Sequence, residues 1–102
     1  MENVFSFKKI LIQNLGYGEN NAIHCAALAK ICTTDERTIQ AVVLSSRIQG
    51  IPILSSDHGY FLPGPEEGHL ECKRFIAAQT SRAKTSFASI NAAKSFLEGG
   101  VY

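Results

Sequence analysis

A short segment between Gly50 and Pro63 restricts the folds that this chain can adopt. Gly50 ends a run of apolar residues at helical spacing, and Pro52 prevents the helix from resuming because its ring fixes φ and removes a backbone donor. Two short apolar runs, 51–54 and 60–62, then flank a turn-forming stretch. The segment therefore predicts a two-stranded β-hairpin that lies between helices.

Apolar residues at helical spacing precede the hairpin in three places. Residues 7–15 carry an apolar stripe at i, i+3, i+4 and i+8, and residues 25–31 form a second pattern. A third helix is predicted over 35–49, where Thr34 or Asp35 can accept a hydrogen bond from the free N–H groups at its start. The chain is therefore predicted to be mainly α with a small β-hairpin.

A long helical segment follows the hairpin, from Glu66 to about Glu98. Its apolar residues repeat every seven positions, with one aromatic residue between them: Ile76, Ala83, Ile90 and Leu97, with Phe87. A helix of roughly 30 residues would extend about 45 Å, which is longer than a small three-helix domain can cover. The helix therefore either breaks near residues 79–81 or packs its free half on another chain.

The composition predicts one packed domain in the cytoplasm. Of the 102 residues, 45% are hydrophobic and 19% are charged, and the formal net charge is +1. The apolar runs are far shorter than the roughly 20 residues needed to span a bilayer, and Lys8 and Lys9 interrupt the apolar N-terminus. Cys25, Cys32 and Cys72 form no C-x-x-C pair, which predicts free thiols rather than disulfides or a zinc site.

Residue types that serve in catalysis occur in the chain, but not at the spacing of a catalytic motif. The sequence contains no nucleophile elbow, no phosphate-binding glycine loop and no metal-ligand spacing such as H-E-x-x-H. We therefore expect no enzyme activity, no metal and no cofactor, and no small-molecule substrate is evident.

The order of helix, helix, turn, helix and hairpin coincides with a set of residues at fixed spacing between Ile23 and Pro63. These residues are Leu28-Ala29, Arg37-Thr38-Ile39, Val43, Arg47, Gly50, Ile51-Pro52-Ile53 and Gly59-Tyr60-Phe61-Leu62. The segment resembles the winged helix-turn-helix family typified by the N-terminal domain of biotin operon repressors. It is also similar to the small helix-turn-helix proteins of phages and prophages of Gram-positive bacteria. The resemblance covers 41 of the 102 residues. It implies a winged helix-turn-helix domain over 1–64, followed by a C-terminal helical extension over 65–102.

Four positions depart from the pattern of that family. Thr33 lies where the turn between the second and third helices often has glycine, so either the turn differs or Thr33 adopts a strained backbone. Ser46 lies where the family usually has a core leucine, and Val42 and Leu44 are apolar where it is usually polar. The shift predicts an additional apolar contact of the third helix, with the long C-terminal helix or with a second subunit.

The resemblance implies that the third helix enters the major groove of double-stranded DNA. The residues that would approach base edges and phosphates are Glu36, Arg37, Gln40, Ala41, Leu44 and Ser45. In the alternative interpretation, Arg37 pairs with Glu36, with Asp35 or with a backbone carbonyl and only fixes the turn. The implied function is a transcriptional regulator or accessory protein of phage type.

The hairpin would act as the wing and place Ser55, Ser56 and His58 near the DNA backbone. Asp57 opposes such a contact, and alternatively the serines and Asp57 only cap their own turn. Residues 33–64 carry two basic and three acidic side chains, a net charge of −1. The rival function is therefore a protein-interaction module that keeps the scaffold and lacks DNA binding.

Positive charge is concentrated in the C-terminal segment. No acidic residue interrupts the basic ones between Cys72 and Leu97, and these are Lys73, Arg74, Arg82, Lys84 and Lys94. They form either a solvated helix face or an arm that contacts phosphates or a partner. The helix dipole is consistent with the first, since it favours acidic residues at a helix start and basic residues farther along.

The same segment predicts a homodimer. The short first helix cannot cover the whole apolar stripe of the long one, whereas a second copy can hide Ile76, Ala83, Phe87, Ile90 and Leu97. Two-fold symmetry would also set two recognition helices about 34 Å apart, on successive turns of the major groove. The alternative is a helix that folds back at 79–81 and completes a monomeric core.

Overall fold

The structure is a computed structural model that describes residues 4–99. Its elements in chain order are helices α1 (Val4–Gln13), α2 (Cys25–Ile31) and α3 (Glu36–Ile48), strands β1 (Leu54–Ser56) and β2 (Gly59–Phe61), and helices α4 (Gly68–Ser89) and α5 (Asn91–Leu97). A short 3₁₀ turn, Glu19–Asn21, precedes α2. The described chain is mainly helical with one antiparallel hairpin, so the coarse fold prediction is confirmed. Over residues 4–99, no helix is both long and apolar enough to cross a bilayer.

The chain divides into two compact units, one that ends at Cys72 and one that begins at Lys73. In the first unit, helices α1 to α3 and the two residues that flank the hairpin, Ile53 and Leu62, share a hydrophobic core. Its most deeply buried side chains are Leu11, Leu28, Ile39, Val43 and Ile53. Ile39 and Val43 lie four residues apart on α3 and both enter this core, as their spacing predicts.

The ends of α3 follow from two local signals. The Asp35 carboxylate accepts a hydrogen bond from the Thr38 N–H at 2.7 Å, and hydrogen bonds from Thr38 lower the pKa of this carboxyl. At the other end Gly50 has a φ of +99°, and the Ile51 N–H donates to the Ser46 carbonyl at 3.0 Å. The bounds of α2 are as predicted, and α3 begins and ends one residue inside the predicted range 35–49, with Asp35 as the capping residue.

The turn between α2 and α3 holds its central residue in a strained conformation. Thr33 has a φ of +54° and is the one non-glycine residue with positive φ between residues 4 and 99. The Thr34 N–H donates to the Ala29 carbonyl at 2.9 Å, and the Thr33 N–H donates to the Lys30 carbonyl at 3.2 Å. This pattern is a Schellman motif, in which the residue at the Thr33 position is usually glycine. Of the two outcomes that the sequence left open, the structure has the strained backbone.

Replacing Thr33 with glycine is expected to raise the free energy of unfolding by about 1 kcal/mol, because glycine adopts positive φ without a Cβ clash. Urea unfolding followed by far-ultraviolet circular dichroism measures the change. Thr34→Gly is the matched control and is expected to lower stability, since residue 34 does not have positive φ. An unchanged or lower stability of Thr33→Gly would show that the turn is not strained.

The hairpin is shorter than the sequence predicts. Leu54 pairs with Phe61 and Ser56 pairs with Gly59, so the predicted strands 51–54 and 60–62 have the wrong bounds. The physical reason is that residues 51–53 satisfy their backbone groups elsewhere. Pro52 has no N–H, and the Ile53 N–H donates to the Ile51 carbonyl at 2.8 Å.

Strand β2 also contacts the chain that precedes α2. Tyr60 and Ile23 form an antiparallel bridge whose two N–H···O distances are 2.8 and 3.0 Å. The neighbouring Gly59 has a φ of +118°, and a Cβ at this position would lie 2.3 Å from the Ile23 carbonyl oxygen. Only glycine therefore allows the hairpin to approach the start of α2 this closely.

A buried carboxylate near the start of α4 connects two other segments of the first unit. The Glu71 side chain is 7% exposed; its Oε2 accepts from the Glu19 N–H at 2.8 Å, and its Oε1 accepts from the Gly64 N–H at 2.9 Å. One side chain near the start of α4 therefore holds the 3₁₀ turn and the loop after the hairpin together. Both hydrogen bonds have a charged acceptor, which makes them stronger than neutral ones.

In the second unit, the helix break lies at Ile90 (φ −89°, ψ −7°), and α4 is continuous through residues 79–81. The three residues at 79–81 include neither glycine nor proline, so their propensity penalty is small. Near the end of α4, the Ser89 hydroxyl donates to the Ser86 carbonyl at 2.7 Å. Such a bond competes with the backbone ladder and favours a helix end.

Candidate functional site

The outer face of α3 contains every residue that the sequence assigns to the recognition helix. All six are exposed, and their spacing places them on one side of the helix: Glu36, Arg37, Gln40, Ala41, Leu44 and Ser45. The opposite side carries the buried residues Ile39, Val43 and Ser46. The packing of α3 therefore brings the predicted residues together on a free surface.

Two of the α3 residues that depart from the family pattern, Ser46 and Val42, pack within the first unit. Ser46 is fully buried, and its hydroxyl donates to the Val42 carbonyl at 2.7 Å, so no polar group is left without a partner there. Val42 is half-buried and packs against the core of its own unit. This contact lies within the first unit and is not the predicted one, which was with the long C-terminal helix or with a second subunit.

Leu44 and Ile48 form an apolar row on the outer face of α3. Leu44 is 58% exposed and Ile48 is 78% exposed, and they lie one turn apart. The predicted recognition residues include Leu44 but not Ile48, although Ile48 lies at the i+4 position from Leu44. The candidate surface is therefore more apolar than the six predicted residues indicate.

A groove of about 500 Å³ runs between α1 and α3. It is lined by Lys8, Arg37, Thr38, Ala41, Val42, Ser45 and Gln49. The Lys8 ammonium donates a hydrogen bond to the Gln49 amide oxygen and so links the two helices. The groove is not predictable from sequence spacing, because Lys8 lies 29 positions before Arg37 and only the fold brings both to one groove.

Arg47 connects α3 to the hairpin. Its Nε donates to the Ile53 carbonyl at 2.7 Å, and its Nη2 donates to the Ser55 hydroxyl oxygen at 3.2 Å. Burial lowers the pKa of the Arg47 guanidinium, while the charge of Tyr60 acts in the opposite direction. The orientation of the hairpin relative to α3 is fixed by this side chain.

The three hairpin residues that the sequence selects have different surroundings. Ser55 accepts the bond from Arg47, and the Ser56 hydroxyl oxygen accepts from the His58 N–H at 3.1 Å. The His58 imidazole is largely exposed, with its Nε2 4.0 Å from the Glu19 carboxylate. Ser56 thus makes the turn-capping bond that was the alternative interpretation, and the His58 ring extends into solvent.

The three cysteines are free thiols in the structure. Burial, and after it the charge of Glu36, raises the pKa of the Cys25 thiol, and burial raises the pKa of the Cys32 thiol. A raised thiol pKa keeps sulfur protonated at neutral pH and lowers its reactivity. Neither side chain is therefore an activated nucleophile.

Charge differs between the two units. Up to Cys72 the sequence has five basic and eight acidic residues, a formal charge of −3, whereas the segment from Lys73 has five basic residues and one acidic residue, a charge of +4. On the outer face of α3, the charges of Glu36 and Arg37 cancel each other. Phosphate neutralisation by the first unit alone would therefore be modest.

Comparison of the chain with models of protein families, with curated proteins and with solved structures finds no match. The resemblance of residues 23–63 to the winged helix-turn-helix family thus stays a prediction.

Proposed function

We propose that this chain is a cytoplasmic, non-enzymatic DNA-binding protein of the winged helix-turn-helix type, a regulator or accessory protein of a phage or prophage. The observation that carries the proposal is the exposed outer face of α3, which holds all six predicted recognition residues. The helix has 13 residues and is therefore about 20 Å long, and an α-helix fits the width of the major groove.

The arrangement around α3 supports this proposal. Ala29 on α2 is buried and small, as the close crossing of two consecutive helices requires. The hairpin follows α3 directly and is tied to it by Arg47, while the bridge between Ile23 and Tyr60 adds a rudimentary third strand. In the proposed complex, α3 contacts base edges and the exposed ring of His58 approaches a flanking phosphate.

Positive charge for further phosphate contacts comes from the basic residues of the second unit. These are Lys73, Arg74, Arg82, Lys84 and Lys94, and all are exposed. Flexible ammonium and guanidinium groups neutralise phosphates without reading sequence. The proposed division of roles gives base recognition to α3 and much of the salt-dependent affinity to the second unit.

Replacing Arg37 with glutamine is expected to weaken binding to a random-sequence duplex about tenfold and to reduce the log–log salt slope by about 1. Fluorescence anisotropy of a labelled duplex at several potassium chloride concentrations measures both quantities. Lys9→Gln removes one exposed charge from α1, outside α3 and its groove, and is expected to change affinity by less than about twofold. Equal losses in both variants would mean that Arg37 acts only through general charge.

A second candidate function is a protein-interaction module built on the same scaffold. The exposed row of Leu44 and Ile48 favours it, because apolar side chains at this position suit a protein partner better than a polar groove. The charge of −3 over the first unit points the same way. Loss of binding to a natural protein partner on Leu44→Asp, without detectable DNA binding by the unmodified chain, would establish this second function.

We further propose that the second unit holds two copies of the chain together. From Lys73 to Gly99, every side chain is exposed except those of Phe75 and Gln79, which are half-buried. The exposed apolar residues of the proposed dimer interface are Ile76, Ala83, Phe87, Ile90 and Leu97. Pairing with a second copy would remove this surface from water and bring two α3 helices into one assembly.

Phe87→Asp is expected to convert the dimer to a monomer of 11.1 kDa, because the aromatic ring is 69% exposed and a buried carboxylate would oppose pairing. Sedimentation equilibrium at micromolar concentration measures the mass, and circular dichroism shows whether the fold is kept. Thr85→Asp is the matched control, since this exposed residue lies on the other side of α4. A monomeric unmodified chain would contradict the assembly.

A further inference from the structure

The groove between α1 and α3 has the size of a small-molecule site. Its volume of about 500 Å³ lies within the usual range for organic ligands. The walls consist mainly of carbon: the methyl groups of Ala41, Val42 and Thr38 and the aliphatic stems of longer side chains. An occupant must therefore present an apolar body to this surface.

The charges at the groove restrict the occupant further. Lys8 and Arg37 are the charged residues among those that line it, and both are cations. Within the described chain, no carboxylate lines the groove to neutralise them. The polar groups beside them, Ser45 and Gln49, are neutral. The complementary ligand is an apolar body that carries one negative group, because a carboxylate or sulfonate pairs with a guanidinium or an ammonium.

A second copy of the chain does not fit this description. Its apolar segment after Cys72 carries a single carboxylate side chain, that of Glu98, against five basic residues, so it offers little negative charge to the cations of the groove. The groove is also on α3, where Arg37, Ala41 and Ser45 belong both to the lining and to the proposed DNA face. A molecule bound here would therefore cover part of the surface that is proposed to enter the major groove.

We infer that the α1–α3 groove binds a small apolar monoanion, a hydrocarbon ring or chain with one carboxylate or sulfonate, and that this ligand competes with DNA. The ligand's apolar body lies against Ala41 and Val42, and its anionic group pairs with Arg37. The Lys8 ammonium is bonded to Gln49 at the other end of α3, about three turns away, and so does not reach the same anionic group. Binding of the anion does not depend on the DNA-binding function proposed above, whereas the competition rests on it.

The first experiment tests the groove without DNA. Naphthalene-2-carboxylate is titrated into the ¹⁵N-labelled chain, with naphthalene-2-carboxamide as a neutral probe of the same shape. We expect saturable shifts of the amide signals of residues 37–49 and about tenfold weaker binding of the carboxamide. Arg37→Gln is expected to weaken carboxylate binding about tenfold, and Lys8→Gln and Lys9→Gln each by less than about twofold.

Three results would overturn the anion site. They are equal affinity for the two probes, equal affinity in all three glutamine variants, and shifts confined to the exposed apolar residues after Cys72. None of these readouts depends on DNA binding, so failure of the site is distinguishable from failure of the proposed function.

The second experiment adds the labelled random-sequence duplex. At saturating naphthalene-2-carboxylate we expect at least about tenfold weaker DNA binding by the unmodified chain, and no change with the carboxamide at the same concentration. Anion binding that leaves DNA affinity unchanged would overturn the competition. If the unmodified chain does not bind the duplex, the DNA-binding function and the competition both fail, and the anion site is judged on the first experiment.

Discussion

Gly59→Ala is expected to lower the free energy of unfolding by about 3 to 5 kcal/mol, a large part of the stability of a small domain. The added Cβ would lie 2.3 Å from the Ile23 carbonyl oxygen and 2.7 Å from the His24 nitrogen, where no flexible side chain can move aside. The backbone must shift, and the two hydrogen bonds between Ile23 and Tyr60 weaken. A positive φ adds its own penalty of about 1 kcal/mol or more.

Gly50→Ala is the matched control for this substitution. Gly50 also has positive φ, +99°, but a Cβ there meets no atom within 4 Å. The free energy of unfolding of Gly50→Ala is therefore expected to fall by only about 1 kcal/mol, the cost of the backbone strain. Chemical denaturation of the three proteins under the same conditions gives the comparison. Equal losses for Gly59→Ala and Gly50→Ala would contradict the close approach of the hairpin to the start of α2.

Glu71→Gln is expected to lower the free energy of unfolding by about 2 to 3 kcal/mol at neutral pH. The amide retains one acceptor oxygen, so one of the N–H groups of Glu19 and Gly64 loses its partner and faces an NH₂ group instead. The Glu71 side chain is 7% exposed, so a donor left without its acceptor there costs part of its desolvation free energy. Thermal and urea unfolding both measure the loss.

Glu67→Gln makes the same chemical change four residues earlier. The Glu67 side chain is exposed, and we expect its replacement to alter stability by no more than about 0.5 kcal/mol. The pair of variants separates the hydrogen bonds of Glu71 from the general benefit of acidic residues near the start of a helix. Equal effects of the two substitutions would show that Glu71 acts only as a helix-end charge.

The features that the sequence predicts well are those with local causes. Asp35 caps α3 by a bond to a residue three positions later, and Gly50 ends the helix through its own positive φ. The exposed face of α3 follows from the 3.6-residue period once Ile39 and Val43 are assigned to the core. The predicted recognition residues could therefore be placed on one surface without a structure.

The features that the sequence missed depend on distant parts of the chain. Glu71 resembles any acidic residue near a helix start, and its role requires the N–H groups of Glu19 and Gly64. The bridge between Ile23 and Tyr60 joins residues 37 positions apart in the chain. The groove needs Lys8 from α1 beside α3. No periodicity or spacing within a single segment reports such contacts.

The most direct test of the proposed function is the association constant of the unmodified chain with a random-sequence DNA duplex, measured at several salt concentrations. Phosphate contacts by the exposed lysines and arginines release counterions, so we predict that the logarithm of the constant falls linearly with the logarithm of salt concentration. The expected slope is about −0.9 for each phosphate neutralised. Binding that does not change with salt, or no detectable binding at low salt, would contradict the proposal that α3 and the basic second unit bind DNA.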